Sequence, residues 1–223
     1  RQMCIRDRDV ENPEHQRASF LLGLIDSQRM GQDQTVEVSK VERNLEVATH
    51  YDKRALLMLA HYAKEPADQL AYLDQLAKSL DHVNQKDHRL VFETMVQQYH
   101  ELMQKGHTNF TYGLVKLLKS NLYKELEGKL CQDSDAAGQL GVQLLELYDT
   151  AEKNAATKNR ADFRKILGAG RALCIASSQQ GNLKAAWALV DYEKNDQRAS
   201  SYLDVALDLT LQKVRSGQSL EMS

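Results

Sequence analysis

Residues 172–192, ALCIASSQQGNLKAAWALVDY, decide the fold. Two runs of helix formers are separated by Gly181-Asn182, a pair that turns a chain. Leu183, Ala186 and Val190 fall at helical spacing along the second run, and Trp187 stands ready to plug against a neighbouring helix. Two short helices joined by so short a turn lie antiparallel. Each has an apolar face that it cannot bury alone, so the stretch reads as a helical hairpin, with helices over about 160–178 and 183–193.

The pattern continues outward in both directions. Asn12-Pro13-Glu14 opens a helix, with Asn as cap, Pro at the first helical position and Glu in the first turn. Phe20, Leu21, Leu24 and Ile25 make its apolar face, and it ends near Gly31. Helices follow over about 35–50 (Val38, Val41, Leu45, Ala48) and 52–64 (Leu56, Leu57, Leu59, Ala60). Pro66 starts a fourth, with Leu70, Leu73, Leu76 and Leu80. Asp87 is expected to cap a fifth, which carries Val91, Met95, Tyr99 and Met103 and stops at Gly106. A sixth covers 110–118. After the acidic break Gln132-Asp133-Ser134-Asp135 a long helix with Leu140, Val142, Leu144, Leu145 and Tyr148 runs to about Ala155, and a last helix covers 197–214.

About ten helices joined by short turns make the chain all-α. The expected organisation is antiparallel hairpins stacked as a short α-solenoid, with a closed helical bundle as the alternative. The break at 132 is the candidate boundary between an N-terminal array (12–131) and C-terminal hairpins (132–215), and it is equally readable as one interhelical loop. The polar tail 216–223 is expected to fray. Arg1 to Arg8, RQMCIRDR, resembles the translation of sequencing-adapter read-through and joins no helical pattern; residues 1–11 are set aside as a foreign or disordered start. With the true start expected to be missing, the residues do not choose between cytoplasm and periplasm.

Composition agrees. Of 223 residues, 42% are hydrophobic and 27% charged, with only 2 prolines and 11 glycines. That supports a sizeable core and helices rather than strands. The net charge is -2 and the cations are interspersed with acids, so no basic stripe points to nucleic acid. No apolar stretch is long enough to span a bilayer.

Residues 18–60 resemble a Sel1-like repeat, a relative of the tetratricopeptide repeat. Ala18, Leu22, Gly23 and Gly31 sit at matching positions, and Leu45 and Ala48 match after a slip of one residue. Asp26 stands where an aromatic is usual, and Arg29 replaces a turn glycine. Residues 172–192 look like a tetratricopeptide unit, with Gly181 in the turn and Ala186 on the packing face. The resemblance implies a non-enzymatic scaffold that binds a partner helix or peptide on one face, with no cofactor. Tyr62, Tyr99 and Trp187 are the expected partner anchors, because tyrosine and tryptophan are rigid, amphipathic contact residues. A second resemblance covers 147–212. Leu147-Tyr148-Asp149 followed by amphipathic helices is similar in layout to small flagellar export chaperones, which implies a bundle that shields a secreted subunit.

Catalytic patterns are weak. The seven histidines (15, 50, 61, 82, 88, 100, 107) lack metal-ligand spacing. Glu125 and Glu127 diverge on a helix, and no nucleophile elbow surrounds Ser177 or Ser178. Gly168-Ala169-Gly170 follows no strand, so it reads as a packing feature rather than a dinucleotide loop. Cys131 and Cys174 read as two ordinary buried thiols, with disulfide or metal chemistry depending on geometry. An all-α enzyme with a site assembled from distant residues is the third reading.

Overall fold

The computed structural model describes residues 12–30, 38–154, 160–193 and 196–216. Among the described residues the chain is all-α, with eleven α-helices, two 3-10 turns and no strand. It forms two compact units, Arg1–Val91 and Phe92–Ser223.

In the first unit α1 (Pro13–Met30), α2 (Val38–Ala48), α3 (Arg54–Tyr62) and α4 (Pro66–Lys78) each pack on the next. Asn12 caps α1 by accepting from the Glu14 amide at 2.9 Å, and Pro66 takes the first turn of α4. Val41, Leu45, Leu56, Leu59, Leu73 and Leu76 are fully or almost fully buried. Gly23 lets α1 approach α2: a Cβ there would lie 2.7 Å from Leu45 Cδ2. Two 3-10 turns, Leu80–His82 and Gln85–Asp87, lead to α5 (His88–Gln104). Asp87, expected to cap α5, turns its carboxylate to Arg54 Nη1 at 3.1 Å instead.

The second unit continues through α5 into α6 (Thr111–Lys119), α7 (Asn121–Leu130), α8 (Ser134–Asn154), α9 (Arg160–Gln179), α10 (Leu183–Tyr192) and α11 (Asp196–Arg215). Helix α7 adds to the helices expected from the sequence. Ser120 starts it, accepting from the Tyr123 amide at 3.3 Å, and Leu122, Tyr123, Leu126 and Leu130 are its buried face. The acidic break at 132–135 lies within this unit. Asp133 Oδ1 accepts from the Ala136 amide at 3.1 Å there and caps α8.

Helices α8, α9 and α10 pack on one another, α11 packs on α10, and α6 packs on both α7 and α9. Leu145, Cys174, Ala185, Ala188 and Leu189 form the core of this group, with Tyr192 and Tyr202 against it. Glycines set how close α8 and α9 come. A Cβ at Gly138 would meet Ser177 Oγ at 2.7 Å, one at Gly141 would meet Cys174 Sγ at 2.6 Å, and one at Gly170 would meet Leu145 Cδ2 at 3.1 Å. The pairs run in opposite directions along the two helices, as an antiparallel hairpin requires. At the end where α8 begins, Ser177 donates to the Ser134 carbonyl at 2.6 Å, and Gln180 to that of Cys131 at 2.8 Å. Gly181 makes the α9–α10 turn with φ at 91°, and Asn182 then caps α10 by accepting from the Ala185 amide at 3.1 Å.

Candidate functional site

The expected partner anchors have different fates. Tyr99 has no exposed surface, so it is a core residue of α5 rather than a surface anchor. Tyr62 is half-buried. Its hydroxyl is bonded to Ser27, which ties α3 to α1, and its ring stands edge-on to His61. Trp187 is half-buried, with its indole Nε1 buried and unpartnered. Of the expected packing residues, Gly23, Leu45, Ala48 and Ala186 are buried, and Gly181 makes its turn. Ala18 and Leu22 are exposed, because α1 turns its Ser19–Phe20–Gly23 side inward. Gly31 lies outside the described residues.

Among the described residues of the second unit, α11 carries an exposed apolar row. Leu203, Leu207, Leu211 and Val214 are 37%, 44%, 50% and 55% exposed. Their spacing places them in one row along about three turns. The row lies beside the face that Tyr202 and Ala206 bury, so the apolar surface of α11 is wider than its neighbour covers. Asp204 and Asp208, both exposed, flank it. The signal was present in the sequence as an i, i+4, i+8 leucine run, but periodicity does not say which apolar side chains a helix leaves outside.

Each unit also contains a cleft of about 490 Å³. In the first unit Arg54 organises it. Its guanidinium donates to both oxygens of Asp52 (Nη2 to Oδ2 at 2.5 Å, Nε to Oδ1 at 3.1 Å), reaches Asp87, and lies 5.3 Å from the centre of the Phe20 ring. The Asp52 hydrogen bond, the largest influence, raises the Arg54 pKa and outweighs partial burial. The carboxylates that line this cleft are thus spent on a structural clasp. Lys53, beside them, donates to the Thr49 carbonyl at 2.7 Å.

In the second unit the cleft lies between α7 and α9, over Leu118 of α6. Tyr123, Lys124 and Glu127 line one side; Arg164, Lys165, Gly168 and Ala169 line the other. Tyr123 donates to Glu127 at 3.2 Å and stacks on Phe92. Burial, then Glu127, drives its phenol pKa far above the ordinary range. Lys124, Arg164 and Lys165 are exposed and form no ion pair among the described residues. Gly170 packs as expected, whereas a Cβ at Gly168 would meet nothing within 4 Å.

Other candidates are structural. His100 is paired with Glu146. The Cys174 thiol is buried and pushed up to about 12 by desolvation, which disfavours the nucleophilic thiolate. Cys131, half-buried rather than buried, is raised by desolvation and by Glu127. Among the described residues no cluster of His, Cys, Asp and Glu is placed to hold a metal ion, and no helix is long and apolar enough to cross a membrane. No protein-family model, curated protein or solved structure matches the chain.

Proposed function

We propose that the protein is a non-enzymatic scaffold of helical hairpins that binds an amphipathic helix of a partner protein along α11. The observation that carries this is the exposed row Leu203, Leu207, Leu211 and Val214. A row of that spacing offers a ridge on which a second helix packs, as helices do in grooves and bundles. Asp204 and Asp208 beside it favour a partner helix with Lys or Arg next to its apolar stripe. Further support comes from α8, α9 and α10, whose mutual packing is what successive hairpins of an array require. Tyr99 leaves the set of anchors, and Trp187 and Tyr62 become supports of the scaffold.

A labelled synthetic helix with a leucine stripe flanked by lysines provides the test, read by fluorescence polarisation with the full chain. Saturable binding is expected. Leu207→Glu with Leu211→Glu should abolish it while moving the unfolding free energy by no more than about 0.5 kcal/mol, since both side chains are exposed. Binding that survives the double substitution would sink the assignment. So would sedimentation showing the row already covered by a second copy of the chain.

A further inference from the structure

We propose that the α7/α9 cleft is a binding site for a small organic oxyanion with two or more negative charges, carried on phosphate or carboxylate groups. Three cations, Lys124, Arg164 and Lys165, face a single carboxylate, Glu127, which already accepts the Tyr123 hydroxyl. Like charges gathered without acidic partners raise the local potential and favour a multiply charged anion over a single one. Arg164 supplies a fork for two oxygens, and the lysines act as point charges on either wall.

The floor is apolar or aromatic, from Leu118, Tyr123 and Ala169. At about 490 Å³ the cleft is in the size range of sites for whole small molecules, so a ligand with a carbon body fills it better than a bare ion. Gly168 adds the second geometric element. It is not needed for helix packing, since open space lies over it, and it leaves the α9 backbone bare on the cleft wall. This inference does not depend on the α11 row, which is carried by different residues.

Titration of the isotope-labelled full chain with citrate, and separately with 3-phosphoglycerate, tests it by amide chemical shifts at constant ionic strength. Saturable shifts confined to residues 118–130 and 162–170 are expected for at least one of the two. Which anion saturates identifies the acid group. Replacing Lys124, Arg164 and Lys165 together by Gln should weaken binding at least about tenfold. Gly168→Leu, which fills the cleft and keeps every charge, should weaken it as well. Shifts that never saturate, that spread over basic residues of the whole chain, or that ignore both variants would overturn the proposal.

Discussion

Two long-range contacts, one taken from each unit, are built by different means. In the first, Arg54 reaches Asp87 across 33 residues and holds Asp52 at the same time, while Lys40 meets the almost buried Asp26 at 3.4 Å. In the second, the α8–α9 hairpin closes where side chains are small, at Gly138, Gly141 and Gly170, against Ser177, Cys174 and Leu145. Charged clasps tolerate some displacement, because a long side chain can follow its partner. Close packing of backbone on backbone does not, because the nearest atoms cannot rotate away. The difference predicts which perturbation each unit resists.

Alkali should divide them most. In the second unit Cys174 is raised from 9.0 to about 12, Tyr148 and Tyr192 are raised from 10.0 to about 12, and Tyr123 is raised further, each chiefly by desolvation. All are neutral when protonated, so the fold binds these protons more tightly than the unfolded chain does. Their contribution is complete below pH 9 and is lost as pH rises toward 12. At pH 11 Cys174 alone should remove on the order of 3 kcal/mol. Trp187, the one tryptophan of the chain, reports on this unit. Its fluorescence should show an urea midpoint that falls steeply between pH 8 and 11, and less steeply in Cys174→Ala. A midpoint equally steep in both would mean that the thiol is not the source.

Gly141→Val comes next. Its Cβ would lie 2.6 Å from Cys174 Sγ and 2.9 Å from the Cys174 amide nitrogen, so α8 and α9 must separate. A loss of about 3 kcal/mol is expected in the Trp187 transition. Full retention of stability would show that the hairpin has slack that the contacts do not suggest.

Arg54→Met has the smallest effect. It keeps the stem against Phe20 and leaves Asp52 and Asp87, 17% and 14% exposed, without their shared cation. About 1–2 kcal/mol should be lost, less than for a fully buried pair because water still reaches both carboxylates. The loss should appear in helical circular dichroism and leave the Trp187 transition in place. A shift of equal size in both signals would erase the distinction between the units.

Much of the fold was legible in the sequence. Helix existence followed from apolar spacing and from turn residues such as Asn12, Pro66 and Gly181, which act locally. Helix α7 was legible as well, through Ser120 and the spacing of Leu122, Tyr123, Leu126 and Leu130, but its ten residues were absorbed into the approach to the acidic break. The candidate sites were not legible. Tyr99 and Tyr62 differ in burial although both are tyrosines at helical spacing, because burial depends on what packs against a helix. Gly168 and Gly170 are two residues apart, yet one faces open space and the other Leu145. The α7/α9 cleft combines residues 118, 123–127 and 164–169, which only the packing of α6 on both helices brings together.

The serines where α8 begins have a consequence for axial position. Gly138, Gly141 and Gly170 set the distance between α8 and α9, and the bonded groups at the end of the hairpin mark their relative height. Ser177 donating to the Ser134 carbonyl, with Gln180 donating to that of Cys131, has no equivalent one turn away. A slipped hairpin would lose these bonds as well as the glycine contacts. The hydroxyl and the amide therefore act as a stop that adds to the glycine contacts in holding one register.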